Sequence, residues 1–157
     1  MNPQAEIEFL GTLTMYGKGS LMVGDIPAGK RRLDYVKSGA LVGPKIRAEI
    51  VGGSDHMLRL QDGTLLADVR LGLRLDDGQG LELNYRGYLW GDPGVGDRLL
   101  AREQIQPGEY KIRTNVWFET GSEKYYWLNH TIAFGQGRFA YDAEGKPAMF
   151  YDYFRVL

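Results

Sequence analysis

The run Arg113-Thr-Asn-Val-Trp-Phe-Glu-Thr-Gly-Ser-Glu-Lys-Tyr-Tyr-Trp-Leu-Asn129 gathers large rings, an arginine and a glutamate into one short stretch. Rings supply buried area and polar groups supply directed hydrogen bonds, the combination a small-molecule pocket uses. A guanidinium such as Arg86, flanked by Tyr85 and Tyr88, or Arg113, near Trp117, can clamp a carboxylate or enolate oxygen through two parallel hydrogen bonds. A carboxylate such as Asp68 or Glu119, desolvated by Trp117, Tyr126 and Trp127, would have its pKa raised and could act as a base. A tyrosine hydroxyl, Tyr85 for one, could then donate to a developing oxyanion. That set suffices for proton transfer without a cofactor: isomerisation, elimination, cyclisation or lactone hydrolysis.

Asp68, Glu119, Arg113 and Tyr85 are therefore the candidate catalytic residues. Arg86, Trp117, Tyr126, Trp127 and Asn129 are candidate ligand contacts. A plainer arrangement uses the same residues: the leucine faces fill an interior, and the charges are solvated. Trp127 and Leu128 would then plug an end while Asn129 caps a turn through its side chain. Asp152 lies between aromatics, and a salt bridge to an arginine is its simplest role.

Other chemistries lack their residues. The chain has no cysteine, which excludes disulfides, thiolate catalysis and Cys-ligated metals. His56 and His130 are its only histidines and have no ligand spacing, so no metal site is expected. No Gly-x-Gly-x-x-Gly or Gly-x4-Gly-Lys-Ser/Thr appears, and no serine sits in a nucleophile elbow. Nineteen Lys and Arg stand against twenty Asp and Glu, so the net charge of −1 suggests no attraction to nucleic acid or an anionic membrane. No apolar run approaches a membrane span, and the first residues do not read as a secretory signal. A cytoplasmic protein is expected.

The elements that must position these residues are strands. Leu65, Ala67, Val69, Leu71, Leu73 and Leu75 alternate with Asp68, Arg70 and Arg74. Leu81, Leu83 and Tyr85 alternate with Glu82, Asn84 and Arg86, and Ile112, Thr114, Val116 and Phe118 alternate with Arg113, Trp117 and Glu119. Period two over such lengths specifies strands. Twenty-two glycines punctuate the chain, and Asp62-Gly63 is the clearest hairpin turn. Asp97–Ile105 predicts a helix of about two turns with an aspartate N-cap, and Ser122 could cap one turn through Tyr126. Many strands in one domain of 157 residues leave a sandwich or a barrel, and long regular strands favour closure.

The pattern of Gly24, Pro27, Gly29 and Arg31, then Gly52-Gly53, Asp55, Asp62-Gly63, Asp68, Tyr85-Arg86-Gly87, Arg113-Thr114, Phe118-Glu119-Thr120-Gly121 and Trp127-Leu128-Asn129 resembles a known family. It is a bacterial and fungal family of small barrels, domain-of-unknown-function family 3237. His56 stands where the family tends to place tryptophan, and Ala48 where glycine is usual. The resemblance implies an all-β fold over residues 1–157: a single antiparallel, up-and-down, calycin-like β-barrel with one or two short helices. It also implies a pocket and brings Asp55 into the candidate ligand contacts. Three functions fit: a cofactor-independent acid–base enzyme acting on a small cyclic or aromatic carbonyl or carboxylate compound, a carrier or sensor of small hydrophobic molecules, or a structural homodimer with an aromatic interface.

Overall fold

The alternating segments become eight antiparallel strands in the computed structural model, which describes residues 3–157. They are β1 (Ile7–Ile26), β2 (Gly29–Val42), β3 (Arg47–Arg59), β4 (Leu65–Leu75), β5 (Gly80–Gly91), β6 (Tyr110–Thr120), β7 (Ala133–Tyr141) and β8 (Pro147–Val156). Each strand pairs with the next and β8 returns to β1, closing the barrel and leaving no sheet edge. The expected calycin-like barrel is the fold observed.

Two kinds of wall make up the barrel. β4, β5 and β6 pair without a register shift, so period two holds along them. Val69, Leu71, Leu73, Leu81, Leu83, Ile112, Val116 and Phe118 all point into the core. β1, β2 and β3 are bulged: Lys37 of β2 is extra at the Tyr16/Gly17 shift, a β1 residue is extra at Gly17/Gly19 and at Met22/Gly24, and a β3 residue is extra at Ile50/Gly52 against β4. Each bulge inserts a residue and exchanges the faces beyond it. This is how polar residues of β2 and β3 come to face inward.

Both ends are plugged. At one end the connection from β5 to β6 carries helix α1 (Val95–Leu100) and buries Val95 and Ile105, with Leu99 and Leu100 packed on the core. At the other, a 3-10 turn (Tyr126–His130) buries Leu128, and Tyr125 beside it donates its hydroxyl to Asp76. Ser122 closes the turn that precedes it, its Oγ accepting the Tyr125 N–H, while the 3-10 turn itself begins after Tyr125 with no side-chain cap.

The helix at the first end differs from expectation. It starts at Val95 after a turn through Gly94 in the left-handed region (φ 80°), and it stops before Arg102, whose φ is 60°. Asp97 lies inside the first turn and pairs with Arg59 instead of capping. Among the described residues no helix is long and apolar enough to cross a membrane.

Candidate functional site

Unbroken alternation in β4–β6 places most of the sequence-selected residues on the outer wall, and this corrects the expected enclosed arginine–carboxylate cluster. Arg86 and Asp68 are register partners whose charged atoms stand 3.6 Å apart, with side chains 54% and 39% exposed. Arg113 donates to the carbonyl of Ile112 and pairs in register with Tyr88, outside. Glu119 faces Glu82 across the β5–β6 ladder. Trp117 is half-buried on that same outer face, and Tyr126 is 58% exposed. Trp127 packs on the core edge with the Arg155 guanidinium 4.8 Å from its ring.

Asn129 works as a clasp. Its Oδ1 accepts the N–H of Thr120, and its Nδ2 donates to the carbonyls of Thr120 and Tyr126. Glu119 and Asn129 do share a feature, a shallow open groove of about 620 Å³ that also borders Val51, Gly72, Glu82 and Thr120. Asp152 is on the outer wall, accepting from Thr12 and from Arg138 at 2.6 Å.

Tyr85 and Asp55 are the two selected residues that line the interior. Asp34, Asp55, Val69, Tyr85 and Val116 are successive register partners across β2, β3, β4, β5 and β6, forming one row around the inner wall. Asp34 and Asp55 therefore lie side by side. Arg32, two residues before Asp34 and buried, turns its Nε and Nη2 onto one oxygen of Asp34 at 3.1 and 2.8 Å. Its Nη1 donates to the carbonyl of Leu100, which ties α1 down over this acidic pair. The β3–β4 ladder skips the positions just beyond Asp55, and there the Asp55 carboxyl accepts the N–H of Asp68 at 3.1 Å.

Deeper in, Tyr85, Tyr151 and Tyr153 pack ring against ring, with centroids 4.9, 6.5 and 6.1 Å apart. Gly135 and Gly137 make this possible, since a Cβ on either would stand 2.6 Å from the ring of Tyr153 or Tyr151. Tyr85 directs its hydroxyl at the sulfur of Met15, 3.9 Å away.

Burial raises the Asp55 carboxyl to a pKa of about 7; the Asp68 N–H and the Arg32 charge pull the other way, and the neighbouring Asp34 adds to the rise. Asp55 thus exchanges its proton near neutrality, where a general acid or base is most effective. Burial holds the hydroxyls of Tyr85, Tyr151 and Tyr153 above the ordinary tyrosine range; Asp55 adds to the rise at Tyr85 and Tyr151, and Tyr85 opposes it at Tyr151. These three phenols are neutral donors at physiological pH. Chemically the arrangement offers a titratable carboxyl, an ion-paired carboxylate and neutral hydroxyls on one inner surface. Among the described residues no group of three or more potential metal ligands comes together.

Arg32, Asp34, Tyr151 and Tyr153 were not found by the sequence reading. The faces of Arg32 and Asp34 depend on bulges, and Tyr151-Asp152-Tyr153 reads equally well with either face inward. One signal was available: Val36, Asp34 and Arg32 share a parity, as do Gly53, Asp55 and Met57.

A closed eight-stranded antiparallel barrel with a carboxyl and three tyrosines inside defines the class, a calycin-like barrel. The chain belongs to the family described as protein of unknown function (DUF3237), whose model matches residues 5–156. A UPF0311 protein of Clostridium acetobutylicum is 30% identical over 113 residues, covering 70% of this chain and 72% of its own. The hydroalkoxylation enzyme phnH of Penicillium herquei is 28% identical over 134 residues, covering 85% of this chain and 73% of its own. Among solved structures, a conserved protein of unknown function from Rhodopseudomonas palustris superposes with a TM-score of 0.87 at 23% identity, over 99% of this chain and 100% of that one. A β-barrel-like protein from Acinetobacter baumannii gives 0.81 at 28% identity, over 100% and 99%.

Proposed function

We propose that this barrel is an acid–base catalyst that needs no cofactor for its proton transfers, with Asp55 as the group that gives and takes the proton. The observation that carries this reading is the placement of Asp55: inside the barrel, beside Asp34 and Arg32, with its pKa raised to about 7. A structural carboxylate gains nothing from such a shift, whereas a catalytic one does.

The chemistry balances with two carboxyls. Protonated Asp55 delivers its proton to an unsaturated carbon of the substrate as a nucleophilic oxygen of the same molecule bonds to the adjacent carbon. That oxygen gives up its own proton to Asp34, the carboxylate paired with Arg32. Proton exchange between the two side chains or through water restores the start, and no electrons leave the system. The fungal relative named as a hydroalkoxylation enzyme supports this class of reaction, because adding a hydroxyl across a double bond is such a proton-balanced step.

The test is turnover of a panel of hydroxyalkenes, enones and lactones by wild type, Asp55→Asn and Asp68→Asn. Asp55→Asn should lose about 10²–10⁴-fold, while Asp68→Asn on the outer wall stays near wild type. An Asp55→Asn variant that turns over at the wild-type rate removes the reading.

A further inference from the structure

Two hydroxyls deep in the barrel have no partner. Tyr153 Oη and Thr114 Oγ1 belong to residues 0% and 5% exposed, and neither forms a hydrogen bond among the described residues. Their side chains flank one glycine. Thr114, Gly135 and Tyr153 are successive register partners across β6, β7 and β8. Gly135 contributes no side chain, and the position its Cβ would take is 2.6 Å from Thr114 Oγ1 and 2.6 Å from two ring atoms of Tyr153. Both side chains thus lie over the same glycine.

Burying an unpaired hydroxyl is costly, and phenylalanine and valine would fill nearly the same volumes without that cost. Unsatisfied polar groups in a core therefore ask for a role. The position of these two suggests one. Tyr153 stacks on Tyr151, Tyr151 packs on Tyr85, and Tyr85 lies in the same row as Asp55. Packed tyrosine rings thus connect the row that holds Asp55 to Tyr153. Among the described residues the buried cation beside it is Arg32, which is committed to Asp34 and Leu100.

We propose that Tyr153 and Thr114 form a subsite for the carbonyl oxygen of the molecule on which Asp55 acts, so that the substrate class is a neutral unsaturated ketone and not a carboxylate. This inference rests on the proposed acid–base reading. Two hydroxyl donors satisfy a carbonyl oxygen, and they strengthen their hold as charge develops on it. A carboxylate would have to shed its water there with no cation to meet it.

The experiment uses 2-cyclohexen-1-one as ketone probe, with cyclohexene and cyclohexanecarboxylate as controls, titrated into full-length protein carrying ¹³Cζ-labelled tyrosine. The ketone should move the Tyr153 resonance, identified by its loss in Tyr153→Phe, and both controls should leave it in place. The Tyr153→Phe and Thr114→Val variants should each bind the ketone at least about tenfold more weakly, since each loses one hydrogen bond. Both should melt no lower than wild type, because an unpaired hydroxyl has been removed; this separates lost contact from lost fold. Unchanged ketone affinity in both variants, an unmoved Tyr153 resonance, or equal binding of cyclohexanecarboxylate overturns the subsite. Asp55→Asn keeps ketone binding if the subsite is right even where the acid–base reading fails, so the two failures are told apart.

Discussion

Arg32 grips a single oxygen of Asp34 through two of its nitrogens, and Asp34 is the cross-strand register partner of Asp55. The two neighbours push Asp55 in opposite directions: Asp34 raises its pKa and Arg32 lowers it. Arg32→Met should therefore move the Asp55 midpoint above 7, and Asp34→Asn should move it below. A ¹³Cγ titration of Asp55 in each variant reads both shifts. Midpoints that coincide with wild type in both would mean the three groups are not coupled.

The raised Asp55 pKa also links stability to pH. Its carboxyl titrates at about 7 in the folded chain against a reference of 3.8. Between those values the folded state holds a proton that the unfolded state has lost, so stability falls as pH rises from about 4 to about 7 and levels off beyond. The full effect is at most about 4 kcal/mol, taking ~1.4 kcal/mol per unit. Asp55→Asn keeps an acceptor for the Asp68 N–H and has no charge to bury. Denaturant melts should show it more stable than wild type at pH 8 and no longer sloping across that window. A wild-type slope surviving in Asp55→Asn would assign the dependence to other groups.

Sequence pattern reveals the fold where the backbone is regular. The barrel was readable because Leu65–Leu75, Gly80–Gly91 and Tyr110–Thr120 keep period two without interruption. For the same reason Arg86, Arg113, Asp68 and Glu119 had to face outward once Leu83, Tyr85 and Val116 faced in. The interior acid cluster was hidden by the reverse circumstance. Bulges at Tyr16/Gly17, Gly17/Gly19, Met22/Gly24 and Ile50/Gly52 break parity, and a bulge is chosen by tertiary context more than by any one residue. Asp55 stood out only through the family resemblance. The short helix was misplaced by two residues at its start because the Asp92-Pro-Gly94 turn, not Asp97, begins it.

Gly135 is fixed by what leans on it. A methyl group there meets Thr114 Oγ1 and the Tyr153 ring at 2.6 Å, with rigid strands on either side. Gly135→Ala should cost roughly 1–3 kcal/mol as overpacking, a fall in Tm of about 2–4 °C per kcal/mol at this chain length. Adding Tyr153→Leu to Gly135→Ala should recover part of the loss, because the ring atoms in the clash are gone. A Gly135→Ala protein that melts with wild type would show the rings to be free to move aside.

Asn129 gives the sharpest contrast between a marker of the family and a ligand contact. Its amide accepts from the Thr120 N–H at 2.8 Å and donates to the Thr120 and Tyr126 carbonyls at 2.9 and 3.1 Å, joining the end of β6 to the 3-10 turn. Asn129→Ala strands the Thr120 groups and should destabilise by about 1–3 kcal/mol. Asn129→Asp keeps the acceptor but, when ionised, sets a charge against two carbonyl oxygens. Its folded pKa is therefore raised, because the protonated acid can still donate to one of them. The Asp variant should approach wild-type stability below about pH 4 and lose it as pH rises through the folded midpoint, which urea melts at pH 3.5, 5 and 7 will show. A pH-independent Asn129→Asp deficit would place the donated hydrogen bonds outside the forces that hold this turn.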